Sequence, residues 1–150
     1  KQGHAVDANR DLRTALADAI EDAITESEYK TAQWGADDCA LWVANILQKV
    51  MPGDPGEAYR GKYSDRDGAY QMIGEKGIIG IVRSAARRFK WKRLKTPSVA
   101  VKGDIGVLKD VENGIQVAAL KYNGAFWIVR GVVGITLVRE DRIKIAWSVG

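Results

Sequence analysis

Apolar residues recur at helical spacing in the first half of the chain and at strand spacing in the second. In residues 7–28, Leu12, Leu16, Ile20 and Ile24 return every four positions, with Ala15, Ala19 and Ala23 beside them. The rest of that stretch is rich in Asp and Glu, which predicts an amphipathic helix with an acidic, solvated outer face. Leu41, Val43, Ala44, Ile46, Leu47 and Val50 predict a second helix from Cys39 to about Val50, N-capped by Asp38 and stopped at Pro52-Gly53. Gly53, Pro55 and Gly56 then make a turn. Ser64 with Asp67 three residues later predicts a capped helix over Asp65–Glu75, closed by Gly77. Ile78–Phe89 continues as helix, with Ile78, Ile81, Val82, Ala85 and Phe89 on one face.

From Trp91 the period becomes two. Five strands are expected, over Gly103–Lys109, Ile115–Tyr122, Ala125–Arg130, Gly134–Glu140 and Ile143–Val149. Asn123-Gly124 predicts a type I′ hairpin and Asn113-Gly114 another turn. Short links without helical crossovers make the sheet an antiparallel meander. Helices first and strands second give an α+β fold, with N-terminal helices packed on a C-terminal antiparallel sheet of about five strands.

The 150 residues suit one domain over 1–150, with residues 1–6 expected as a flexible terminus. The opening KQGHAVD has neither Met nor an apolar leader core, as expected of a processed or trimmed start with no visible signal peptide. No apolar run is long enough to span a membrane. One cysteine, Cys39, and one histidine, His4, leave no metal-ligand set and no internal disulfide, and no cofactor fingerprint stands out, so metal and cofactor are both expected to be none.

Charge divides the chain. Residues 1–82 hold 9 Lys/Arg and 14 Asp/Glu, net −5, and residues 83–150 hold 14 and 5, net +9. This polarity suits either an anionic partner or packing of the two halves against each other. Its densest part is Arg83–Lys95, with Arg83, Arg87, Arg88, Lys90, Lys92 and Arg93 around Phe89 and Trp91. Basic residues beside aromatics suit single-stranded nucleic acid; a solvated helix-to-strand junction gives the same pattern.

Cys39 carries the candidate chemistry. At a helix start, unpaired N–H groups and the helix dipole favour a thiolate, whereas the adjacent carboxylates of Asp37 and Asp38 oppose it. Free cysteine is also among the most buried residue types, so Cys39 reads equally as a small core residue. Asp37 and Asp38 read as an acid–base pair or as capping and turn residues.

Trp34-Gly35 and Asp38-Cys39-Ala40-Leu41 opening a helix, with Lys102-Gly103-Asp104-Ile105-Gly106-Val107 opening the strands, resemble the NlpC-like branch of the papain-like cysteine peptidases. Gly53-Asp54-Pro55, Arg60-Gly61-Lys62-Tyr63 and Ala146-Trp147 extend the likeness to a phage and prophage group of that superfamily, in order over residues 34–147. The resemblance implies a papain-like fold, Cys39 as nucleophile, and a virion tail or tail-assembly context, in the virion or in the bacterial cytoplasm during assembly. It also implies a histidine where Gly114-Ile115-Gln116-Val117-Ala118 places Gln116, which cannot take a proton at neutral pH. The expectation is therefore a non-catalytic tail or tail-assembly module that binds other virion proteins. A cysteine amidase or peptidase acting on peptidoglycan peptides, with Asp37 or another group as base, is the alternative. A nucleic-acid-binding protein using residues 83–95 is the third reading.

Overall fold

The computed structural model describes the backbone of residues 4–108 and 116–150, and the side chains of 11–108 and 116–150. The Asn113-Gly114 turn, Lys109 and Ile115 lie outside the described residues. Helix α1 spans His4–Ser27, α2 Cys39–Gln48, α3 Arg66–Ile73 and α4 Gly77–Phe89. The strands are β1 (Lys92–Arg93), β2 (Ile105–Leu108), β3 (Ala118–Lys121), β4 (Phe126–Arg130), β5 (Ile135–Arg139) and β6 (Ile143–Ser148).

Each expected helix is present, with boundaries decided locally. Asp38 caps α2 as predicted, its side chain accepting from the Leu41 N–H. Helix α3 is shorter than expected. Its cap is Asp65, not Ser64, since the Asp65 carboxylate accepts from the Gly68 N–H. It ends at Gly74, whose φ of 62° breaks the ladder before Gly77 is reached.

The sheet is wholly antiparallel, in the order β1-β6-β2-β3-β4-β5. A simple meander is thus corrected at its end: β6 returns to lie beside β2, and the short β1 adds a sixth strand outside it. Only Glu140–Arg142 separate β5 from β6, although three strands lie between them in the sheet. A flat sheet would need about 19 Å there, at roughly 4.8 Å per strand spacing. Four residue steps reach about 14 Å at most. The sheet must therefore curl.

Its two faces carry separate cores. Ile105, Val107, Leu120, Ile128, Ile145 and Trp147 face the helices and meet Leu16 and Ile20 of α1 and Val43, Ile46 and Leu47 of α2. Inside the curl, Trp127 packs with Leu108, Ala119, Val138, Ile143 and Ala146. Glycine at 106 permits this: a Cβ there would lie 2.8 Å from the Trp127 ring and 3.0 Å from Ile143.

The hairpin at Asn123-Gly124 also departs from expectation. Gly124 is left-handed (φ 55°) while Asn123 is not, so the turn is not type I′, which needs both. Register pairs Lys121 with Trp127, and the Phe126 N–H closes onto the Asn123 carbonyl at 2.9 Å.

Candidate functional site

Around the start of α2 the separate sequence elements become one construction. Gly35 holds φ 80°, and a Cβ there would lie 2.1 Å from the Tyr63 carbonyl oxygen, so only glycine lets the two segments meet. The Gly61 N–H donates to the Gly35 carbonyl at 2.9 Å. Asp38 then gathers three donors: Leu41 N–H at 3.2 Å, Gly35 N–H at 2.8 Å and the Tyr63 hydroxyl at 2.6 Å. Arg60 donates twice to the Asp54 carboxylate, at 2.9 and 3.0 Å, and also to the Asn45 side chain of α2. Its hydrogen bonds hold the Asp54 carboxyl below the usual carboxylate range. Trp34-Gly35, Asp38-Cys39, Gly53-Asp54-Pro55 and Arg60-Gly61-Lys62-Tyr63 are thus parts of a single buckle.

Beside the buckle lies a chamber of about 340 Å³, walled by α2, α3 and α4 and floored by Ile105 and Ala118 of the sheet. Its lining is mainly apolar, and it reaches the surface beside Trp34 and Tyr70, which are exposed. Cys39 and Gln116 both line it. The thiol is half-buried. Burial first, and then the negative charge of Asp38, push it up to about 11, against the partial opposition of the Ala40, Cys39 and Ala118 N–H groups. The helix start therefore loses to desolvation here. Burial, then the bond to Asp38, also raise the Tyr63 hydroxyl far above its ordinary range, so it is a donor and no base.

Gln116 has a different task from the one its position suggested. Helix α4 has no side-chain cap of its own. The Gln116 Oε1 accepts from the Ile79 N–H at 3.0 Å and so serves as a cap from across the chamber. A Cβ on Gly77 would lie 2.6 Å from that oxygen, so glycine at 77 admits the approach.

Asp37 points elsewhere. It accepts from the Gln33 N–H at 2.6 Å and from buried Arg130 at 3.3 Å, and it does not line the chamber. Arg130 in turn donates to the carbonyls of Lys30 (3.1 Å) and Gly134 (2.7 Å), so this pair ties the segment before α2 to the β4–β5 turn. Asp37 and Asp38 therefore act apart, and neither faces the sulfur as a paired acid and base. The structural uses of Tyr63, Gln116 and Arg130 were not readable in the sequence. Only the absence of any Ser, Thr, Asp or Asn ahead of Gly77 could have signalled that α4 needs a distant cap.

Of the basic segment, Arg83, Arg87, Arg88, Lys90, Lys92 and Arg93 are exposed. Trp91 is not: it is 8% exposed, stacks on Phe89 with ring centroids 5.6 Å apart, and belongs to the helix-side core. Arg88 leans on Phe89 and reaches the Asp54 carbonyl at 3.3 Å. The cations thus form a solvated rim without the aromatic platform that base stacking requires. Exchanging Arg87, Lys90 and Lys92 together for glutamine is expected to shift stability by only about 0.5 kcal/mol per site. Thermal denaturation checks this, and a loss of several kcal/mol would show that the rim is structural.

Among the described residues, no group of three His, Cys, Asp or Glu side chains is placed to hold a metal ion, and no helix is long and apolar enough to cross a membrane. The chain belongs to the family described as a domain of unknown function, DUF6950, whose profile matches residues 11–149. No curated protein and no solved structure matches it.

Proposed function

We propose that this family member is a non-catalytic module of papain-like, NlpC-like ancestry, kept as an interaction component of a phage or prophage tail or its assembly machinery. The observation that carries the first part is the state of the site. The thiol is held protonated at neutral pH, and Gln116, at the position where the related peptidases place their base, is engaged in capping α4. A nucleophile without a base loses most of its rate enhancement. The tail context rests on the ordered motif set over residues 34–147, four of whose five elements meet in the buckle. Exposed apolar side chains support the interaction role: Phe126 and Leu137 on the sheet and Val132 and Val133 in the β4–β5 turn stand in solvent.

Alkylation of Cys39 by iodoacetamide against pH tests the non-catalytic reading. At pH 7 the rate should fall below that of a free thiol, with half-maximal reactivity near pH 11. Because the folded thiol ionises above the unfolded one, its contribution to stability is whole below about pH 8.5 and is lost as pH rises towards 11. Cys39→Ala should remove that alkaline loss. A reactive thiolate at pH 7 would sink the reading.

The second reading, a cysteine amidase or peptidase on cell-wall peptides, is favoured by one feature. The N–H groups of Cys39, Ala40 and Ala118 favour the thiolate, and backbone donors beside a nucleophile are what acyl-transfer sites use for their oxyanion. Cleavage of peptidoglycan peptides that disappears in Cys39→Ala would establish it.

A further inference from the structure

We infer that the rim formed by the end of α4 and by β1 binds double-stranded nucleic acid through its phosphate backbone. The inference is independent of the state of Cys39. Its first support is charge left without a partner. Residues 76–103 contain no Asp or Glu. Arg88 reaches Glu57 at 3.7 Å. Arg83, Arg87, Lys90, Lys92, Arg93 and Lys95 are exposed, and among the described residues none of them enters an ion pair. Packing of the acidic and basic halves against each other therefore does not neutralise this segment. Like charges held so close repel, and a polyanion relieves that repulsion while releasing its own counterions.

The make-up of the surface narrows the partner. Every exposed side chain over residues 83–98 is Arg, Lys, Ser or Thr, all of them donors to phosphate oxygens. An acidic protein is a poorer match, because protein interfaces centre on aromatic or aliphatic anchors and this stretch exposes none. A single strand is a poorer match too. Trp91 is buried, and Phe89 is stacked on it and covered by Arg88, so no ring is free for a base.

Register selects the residues that make contact. Arg83 and Arg87 lie one turn apart on α4, so they share a face. Arg93 pairs with Trp147, which belongs to the helix-side core, so Arg93 projects to the same side of the sheet as α4. Lys90, left-handed at φ 60°, stands at the corner between them. Lys92 precedes Arg93 in β1 and projects to the opposite side. Phosphate contacts thus fall to Arg83, Arg87, Lys90 and Arg93, and not to Lys92.

The test titrates the intact chain into a fluorescein-labelled, mixed-sequence DNA duplex of about 20 base pairs, read by anisotropy at about 50–200 mM salt. Saturable binding is expected, with Kd on the order of 10 µM at the lowest salt. Four contacts give log K against log salt a slope of about −3.6. Scrambling the duplex sequence should change nothing. Arg83→Gln, Arg87→Gln and Arg93→Gln together should bring the slope to about −0.9, whereas Lys92→Gln should leave it unchanged. If the triple variant does not fold, Ser84→Glu, which sets an acid within a turn of Arg83 and Arg87, should weaken binding about tenfold. The inference is overturned by no saturable binding up to about 0.5 mM chain at the lowest salt. A slope that Lys92→Gln lowers as much as Arg93→Gln does would show attraction by net charge alone and overturns it too. Poly-glutamate bound as tightly as the duplex would point to an acidic protein instead, and a single strand bound more tightly would point to base stacking; either result overturns the assignment.

Discussion

Asp38→Ala is expected to lower the free energy of unfolding by about 3 kcal/mol. It removes the cap of α2, worth about 1 kcal/mol, and strips two further donors of their acceptor at about 1–3 kcal/mol each, with part recovered by relaxation. Asp38 is 6% exposed, so little water can reach the Gly35 N–H or the Tyr63 hydroxyl to replace it. The denaturant midpoint should fall with an unchanged slope. Asp38→Asn should cost less: its amide keeps one acceptor oxygen, and the Tyr63 hydroxyl can rotate to accept from the new NH₂, but the Gly35 N–H cannot. Tyr63→Phe combined with Asp38→Ala should cost less than the sum of the two, because both remove the same bond. A second readout separates this network from simple packing. Without the Asp38 charge the Cys39 thiol should ionise at lower pH, so stability falls while alkylation quickens. Loss of stability with no change in thiol reactivity would argue against a shared network.

The second large effect should come from Asp104→Ala, at the entry of β2, again about 3 kcal/mol. Asp104 is 1% exposed and accepts from the Val101 N–H at 2.9 Å, the Val149 N–H at 3.2 Å and Arg13 at 3.0 Å. Removing one member of a buried ion pair typically costs about 3–5 kcal/mol, and Arg13 keeps some solvent, which sets the lower end here. Arg13 also reaches the Lys102 carbonyl at 3.2 Å, so this one carboxylate ties α1 to the entry of β2 and the exit of β6. Hydrogen exchange should show the ends of β2 and β6 opening together in the variant. An effect below about 1 kcal/mol would mean that the two backbone donors find water once Asp104 is gone.

Asp38 was read correctly in the sequence as the cap of α2, whereas Asp104 stood there only in the stretch that opens the strands. The other two donors to Asp38 lie 3 residues before and 25 residues after it. The first kind of contact is local and follows from residue type. The second depends on the Gly35–Tyr63 approach, which no periodicity records. Trp91 shows the same limit from the other side. Alternation at Phe89-Lys90-Trp91-Lys92 makes an aromatic, basic surface seem natural. The left-handed turn at Lys90, with φ 60°, instead ends α4 and swings the indole into the core.

The helices-then-strands order, five of the six strands and the start of α2 at Cys39 were legible in the chain itself, because each follows from spacing or residue identity within a few positions. Tertiary structure alone decided that β6 closes against β2 and that the motif elements join as one buckle. It also decided that Asp37 turns away to Arg130, that Gln116 caps α4, and that Cys39 faces an apolar chamber. Those outcomes depend on which distant backbones can approach and what is desolvated when they do. The thiol shows the balance most clearly: position at a helix start argued for activation, and burial beside a carboxylate outweighed it.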